Sequence, residues 1–318
     1  MALRSADSYR ASLRDGRVVF YRGERIADVT EHPVFRVAID HASIDYHMAE
    51  MPEHRDLAVV RDEETGLDTS RYYKAPRTAD DLLARSRLID AATRLGATLV
   101  VLIKEIGTDA LFGLHLVSEM VDSRAHTRYL DRVRAFYQHC RDNDLALAVA
   151  QTDVKGDRSL GPTEQAHPDY YVRVVDRDSK GIVVRGAKAH TSVSVNANEL
   201  IVLPTRAMRE VDRDYAVAFA VPLNTPGLTM VASPHGDSAT SYWEHPIASR
   251  HKMVETLTIF DDVHVPADRV FLDGEWQAAG ALAHAFVQFH RFTAVSYKLA
   301  LVDALVGVAA LLGDRIGI

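Results

Sequence analysis

Residues 151–158 read Gln151-Thr152-Asp153-Val154-Lys155-Gly156-Asp157-Arg158 and follow directly on the apolar run Leu145-Ala146-Leu147-Ala148-Val149-Ala150. The apolar run has the length of a buried strand or the end of a buried helix. The polar run after it is too charged and too Gly-broken to be core. A polar loop leaving a rigid apolar element is where proteins usually display ligand-binding groups. Gly156 permits close approach of backbone, Lys155 and Arg158 carry cationic donors suited to phosphate, and Thr152 and Asp153 supply short-range hydrogen bonds. Further on, Tyr170 to Val175 and Ile182 to Arg185 read as strands around a turn at Asp176 to Lys180. Gly186-Ala187-Lys188-Ala189-His190-Thr191-Ser192 closes the pair with a second hydroxyl-bearing segment. Two such segments at the mouths of adjacent strands would grip one elongated polar cofactor. The same residue types are ordinary turn formers, and on composition alone a solvated loop is their commoner origin. Neither GxGxxG nor GxxxxGK[ST] occurs here, so Rossmann and P-loop physics do not apply.

Upstream, Ser8 to Asp15 reads as a short helix, and Arg17 to Ile26 as a hairpin turning near Gly23, an edge decoration. His32-Pro33 opens a helical stretch through Ala49, and Arg61 to Arg77 is a turn-rich loop. Thr78 caps a long helix with Asp81 in the capping-box position, and Leu82, Leu83, Leu88, Ile89 and Ala92 recur at helical spacing. Thr98 to Leu116 and Asp122 to Asp142 read as two further helices. Downstream of the decisive stretch, Glu199 to Pro204, Tyr215 to Val221 and Leu228 to Ala232 are β-rich runs. Thr256 to Phe260 and Val263 to Pro266 add a strand pair with Asp261-Asp262 as its turn. Helices resume at Glu275-Trp276-Gln277. Helices, then strands, then helices describe an α+β chain, divided as a helical part over 1–144, a central antiparallel β-domain over 145–273 and the start of a helical bundle over 274–318.

At 318 residues the chain is long enough for two domains or one large one, and 47% of it is hydrophobic. Its net charge of −7 is dispersed, which speaks against a nucleic-acid surface. No run reaches the uninterrupted apolar length of a membrane span, and no secretory signal opens the chain. The single cysteine, Cys140, allows neither an intrachain disulfide nor a multi-cysteine metal centre. Cytoplasm is the expected compartment, with neither membrane nor nucleic acid as partner. Leu299 to Leu312 is apolar and helix-like without partner segments after it, so we expect a truncated or fragmentary chain.

Three stretches, TDVKGDRS at 152–159, GIVVRGAKAHTS at 181–192 and IFDDVHVPADRVFLDGEW at 259–276, closely resemble the family that contains the 4-hydroxyphenylacetate 3-hydroxylase oxygenase component and 4-hydroxybutyryl-CoA dehydratase. The resemblance runs from about Ser5 to the last residue. It implies the acyl-CoA dehydrogenase-like fold and FAD laid against the β-domain. Gln151, Thr152, Asp153, Lys155, Gly156, Asp157, Arg158, His190 and Ser192 would surround the isoalloxazine and its phosphates, and Ser192 would be the small hydroxyl residue near flavin N5. Glu255 matches a glutamate base of the dehydratase, and His290 and Lys298 match a histidine and a lysine of the active-site helix. The i, i+7 spacing of His290 and Tyr297 places them near one helix face, although a lone histidine on an apolar helix is more often a hydrogen-bonded core residue.

Departures from the family pattern are as informative. The dehydratase holds an iron–sulfur cluster with three cysteines and the histidine; ungapped matching puts Val101, Glu105 and Tyr297 at the cysteine positions, and these cannot replace thiolates. The hydroxylases' substrate-binding arginine, tyrosine and histidine match Ile106 or Glu105, Ala110 and Val149. No resident metal is therefore expected. The resemblance implies first an FADH2-dependent monooxygenase acting with O2 and a separate flavin reductase on an electron-rich aromatic small molecule, assembled as a homo-oligomer, dimer or tetramer. The alternatives are a cluster-free acyl-CoA-type isomerase or dehydratase-like flavoprotein, with Glu255 or His290 taking a proton α to a thioester, and a non-catalytic flavin-fold subunit.

Overall fold

In the computed structural model, residues 3–63, 65–234 and 241–317 are described. The first part of the chain is mainly helical: α1 (Ala6–Ser12), the strands β1 (Val19–Tyr21) and β2 (Glu24–Ile26), then α2 (Pro33–Ala42), α3 (Ile44–Glu50) and α4 (Pro52–Ala58). A small ribbon of β3 (Val59–Arg61) and β4 (Asp68–Ser70) precedes the long helices α5 (Ala79–Leu95), α6 (Glu105–Ala125) and α7 (Tyr129–Asp142). Thr78 caps α5 as its sequence predicts: its hydroxyl accepts from Asp81 N at 3.2 Å, and the Asp81 carboxylate accepts from Thr78 N at 3.1 Å. Of the five predicted apolar positions on α5, Leu88, Ile89 and Ala92 are fully buried, whereas Leu82 and Leu83 face outward.

The β part comprises β5 (Leu147–Ala150), β6 (Arg173–Asp178), β7 (Gly181–Ser192), β8 (Glu199–Val202), β9 (Val217–Pro222), β10 (Leu228–Ala232), β11 (Glu255–Pro266) and β12 (Val270–Asp273). They form two sheets, one ordered β2-β1-β10-β11-β7-β6 and the other β12-β9-β8-β5. Most pairings are antiparallel, but β1 runs parallel to β10 and β5 parallel to β8. Helix α6 packs on β5 closely enough that a Cβ on Gly107 would stand 2.1 Å from Leu147 Cβ. Helix α8 (Trp276–Ile316) follows β12 and lies along α5 and α6.

Several sequence expectations need correction. The Arg17–Ile26 hairpin is no decoration, because Val19, Phe20 and Tyr21 pair with Met230, Val231 and Ala232 inside the larger sheet. The helical stretch from Pro33 breaks at Ser43 into α2 and α3. Residues 97–104 are not helical: Ala97, Thr98 and Leu102 take positive φ, which an L-residue helix excludes, and α6 begins only at Glu105. Asp261-Asp262 is no turn between two strands. It is a bulge in the single strand β11, where the register with β7 shifts between Phe260 and Val263 and Asp262 takes φ 50°. Charged residues at Lys298, Asp303 and Asp314 interrupt the apolar sequence of α8, although by length and average composition that helix could span a bilayer.

Candidate active site

The loop at 151–158 and the segment at 188–192 are laced together. Ala189 N donates to Thr152 O at 2.8 Å, and the buried Lys188 ammonium donates to the carbonyls of Gln151 and Leu203, each at 2.9 Å. Lys188 also pairs with Asp153 at 2.8 Å, and the Asp153 carboxylate accepts from Val172 N at 3.1 Å. Burial pushes the Asp153 carboxyl up and the Lys188 amine down, and each is the main offset to the other's loss of solvent. The Asp153 carboxylate thus pins the loop from within. Gly156 is packed closely: an added Cβ would lie 2.6 Å from Gln165 Oε1 and 2.8 Å from the Tyr170 ring. The exposed Asp157 carboxylate is held by the hydroxyl and N–H of Ser159, at 2.7 and 2.8 Å, and sits below its ordinary pKa for that reason. Lys155 and Arg158 differ, because neither has an ion-pair partner among the described residues. Gln151 reaches across to α8, where Nε2 donates to Ala283 O at 3.4 Å.

A bulge sets the direction of the His190 and Ser192 side chains. Along β7, Ile182, Val184, Gly186 and Lys188 point inward, but the register with β11 slips between Thr191↔Thr256 and Lys188↔Thr258. The slip reverses the alternation, so Thr191 becomes the buried residue while His190 and Ser192 face outward together. Opposite them, Glu255 is paired with Ser192 across the strands. Ser192 Oγ donates to Glu255 Oε1 at 2.9 Å, and His190 Nδ1 stands 3.7 Å from Oε2. Behind this corner lies a hydroxyl chain that the sequence did not disclose: Ser194, Thr256, Thr258 and Thr191 are linked at 2.8, 2.8 and 3.0 Å.

The second group of candidates sits on α8. His290 is half-buried, and its Nδ1 lies 3.3 Å from Oδ2 of Asp109 on α6. Asp109 is fully buried and pairs with Arg85 of α5 at 2.8 Å, so three helices meet in one polar chain. Lys298 is exposed and bonded to neither His290 nor Glu255 among the described residues. No hydrogen bond or ion pair joins Glu255 to His290 directly. Glu105 and Asp45 form a further buried acidic pair bridged by the Tyr72 hydroxyl, at 3.4 and 3.1 Å. Burial, and for Asp45 the neighbouring Glu105, pushes both carboxyls up. Sequence reasoning missed Asp109, Arg85 and Asp45, since only the helix packing shows that they converge. Two surface grooves of about 460 and 480 Å³, lined by Arg36 and Arg250 and by Arg132 and Arg269, lie away from all these residues.

Helical layers on a mostly antiparallel β part define an α+β protein of acyl-CoA dehydrogenase-like architecture. A glutaryl-coenzyme A dehydrogenase structure matches over 96% of this chain and 64% of its own, with a TM-score of 0.52 at 13% identity, a likeness of fold alone. Within that class the chain belongs to the family described as 4-hydroxyphenylacetate 3-hydroxylase N terminal, which it matches over residues 5–272. It is 33% identical over 320 residues to 4-hydroxybutyryl-CoA dehydratase/vinylacetyl-CoA-Delta-isomerase of Clostridium aminobutyricum, covering 99% of this chain and 65% of the relative. It is also 33% identical over 306 residues to the 4-hydroxyphenylacetate 3-monooxygenase oxygenase component of Thermus thermophilus, covering 94% and 61%. Among solved structures, an oxygen-tolerant archaeal 4-hydroxybutyryl-CoA dehydratase from N. maritimus matches with a TM-score of 0.90 at 32% identity, over 98% of this chain and 62% of that one. The oxygenase component of a 4-hydroxyphenylacetate 3-monooxygenase complexed with FAD matches with a TM-score of 0.85 at 29% identity, over 98% and 64%. The chain therefore spans less than two thirds of the length of these relatives.

Proposed function

We propose that this chain binds FAD along the seam between the 151–158 loop and the 188–192 segment. There Glu255 and His290 move a proton on an acyl thioester, an isomerase or dehydratase-like reaction that uses no iron–sulfur cluster. The observation that carries this reading is the Glu255 corner, where a half-buried carboxylate is held by Ser192 Oγ at 2.9 Å on the face that the β7 bulge turns outward. The chain's own donors fit the cofactor. Lys155 and Arg158 are cations without carboxylate partners among the described residues, suited to a diphosphate, and Gln151, Thr152, His190 and Ser192 line the same seam. When bound, FAD supplies the redox chemistry. Glu255 takes the proton α to the thioester carbonyl, His290 returns one at the γ carbon, and the double bond moves into conjugation. Lys298, exposed on α8, offers a cation to the charged part of the substrate.

The iron–sulfur cluster does not fit the residues present. Val101 is apolar, Glu105 is bonded to Tyr72 and to Lys104 N, and the one cysteine, Cys140, is buried on α7. A second reading, the two-component oxygenase, is favoured by the several oxygenase components among the relatives. It requires reduced FAD, O2, a separate reductase and an aromatic substrate, with Ser192 and His290 as the donors beside the flavin. Both readings are of a cytoplasmic homo-oligomer, dimer or tetramer, divided at 144/145 and 273/274.

Anaerobic incubation of the FAD-loaded chain with vinylacetyl-CoA in D2O separates the two. Deuterium entering the α and γ positions, slowed about 100-fold or more in Glu255→Gln, supports proton transfer. No exchange, together with O2-dependent hydroxylation of a phenol when reduced FAD is supplied, would select the oxygenase. Failure to bind FAD at all would remove both.

A further inference from the structure

We propose that Asp109 is the positioning residue for His290: its carboxylate, anchored by Arg85, fixes the hydrogen on Nδ1 and leaves Nε2 as the nitrogen presented to a substrate. This rests on the proton-transfer role given to His290 above. Asp109 is ringed by donors. Its Oδ1 accepts from Arg85 Nη2 at 2.8 Å and from Thr293 Oγ1 at 3.1 Å, while Oδ2 faces His290 Nδ1 at 3.3 Å. An ionised carboxylate only accepts, so the ring nitrogen facing it carries the hydrogen and the opposite nitrogen is left bare in the neutral ring.

Arg85 in turn is locked. Its other bonds go to Tyr72 O at 2.9 Å, Thr108 Oγ1 at 2.8 Å and Glu105 O at 3.2 Å, and its guanidinium lies between the rings of Tyr72 and Phe112. The imidazole plane is set as well, since the Phe286 ring one turn earlier stacks on it at 5.5 Å with a tilt of 10°. Side-chain exposure grades along the chain, from 4% at Arg85 and 1% at Asp109 to 27% at His290. A buried ion pair is a weak way to join helices, because desolvation cancels most of its attraction and apolar side chains of similar volume do as well. A buried charge pair that ends on one edge of a partly open imidazole instead has the form of a carboxylate that orients a base.

The test first reads the tautomer, which needs neither substrate nor cofactor, and then the deuterium exchange of the FAD-loaded chain. Long-range 1H–15N correlation spectra of the 15N-labelled chain, with His290 assigned by its loss in His290→Gln, should show the Nδ1–H tautomer for neutral His290. In Asp109→Asn the Nε2–H form should appear, and kcat for the deuterium exchange should fall about 100-fold or more with KM within about twofold. An Nε2–H tautomer in the unaltered chain overturns the proposal even if Asp109→Asn does not fold. So does an Asp109→Asn chain that keeps both the tautomer and kcat. The Nδ1–H tautomer in a chain that shows no exchange would instead overturn the proton-transfer reading and leave the role of Asp109 in orienting His290 standing.

Discussion

At the scale of single residues, the 151–158 loop shows what a sequence conveys and what it withholds. Its placement after a buried strand and beside a second polar segment was legible, because apolar run, glycine and charge follow one another along the chain. The division of labour within it was not. Asp153, Gly156 and Asp157 have the chemistry of ligand residues and also meet Lys188, Gln165 and Tyr170, and Ser159 within the chain. Burial by residues distant in sequence decides this. Lys188→Met tests the assignment, because it strands a carboxylate that is 3% exposed and should cost about 3–5 kcal/mol in urea denaturation. Lys188→Met combined with Asp153→Leu should recover most of that loss, since the pair removed together leaves no buried charge. If the single variant were as stable as the parent, the pair would not be what holds the loop.

At the scale of elements, signals confined to one turn of chain were readable and those that depend on a neighbour were not. The α5 start lies within Thr78 to Asp81, and Thr78→Ala should lower stability by about 1 kcal/mol, seen as a shift in the denaturant midpoint at unchanged slope. The β7 bulge, the β11 bulge and the irregular 97–104 segment have no such local signature, because register and positive φ there answer to packing. The 97–104 segment is held by His41 of α2, whose Nε2 lies 2.9 Å from Val100 O and whose Nδ1 meets His251 Nδ1 at 3.2 Å. The carbonyl only accepts, so His41 is protonated at Nε2 and receives from His251. Burial outweighs the Val100 bond and lowers the His41 pKa from 6.5 to about 4. The native ring therefore stays neutral where an unfolded one takes a proton. Its contribution is complete above about pH 6.5 and is lost as the pH falls towards about 4, by about 3 kcal/mol in all. Unfolding free energies measured at about pH 7 and about pH 4.5 should differ by about 2 kcal/mol more in the parent than in His41→Asn. Equal pH dependence in the two chains would dissociate His41 from acid sensitivity.

At the scale of the whole molecule, the α+β order of helices, strands and helices was written in the alternation of periodicities, but the surface of α8 was not. Its first half is tied down by Phe286, Thr293, Ser296 and Ala300, all buried, and by the bond between the Ser296 and Ser86 hydroxyls at 2.9 Å. Its second half is nearly all apolar and open: Leu301, Val302, Leu305, Val306, Val308, Leu311, Leu312 and Ile316 are 45–67% exposed. An isolated apolar side chain on a surface needs no explanation, but a contiguous apolar stretch of about four turns does. A second copy of the chain is the occupant that the proposed homo-oligomer supplies, with two such faces burying one another. The 318-residue chain should then sediment as an associated species, and Leu305→Lys together with Leu312→Lys should shift it towards monomer, because two charges on the buried face oppose closure. Far-ultraviolet circular dichroism should stay unchanged, as both side chains are more than half exposed. A monomer before substitution, or an assembly indifferent to both lysines, would place the subunit contact on another face.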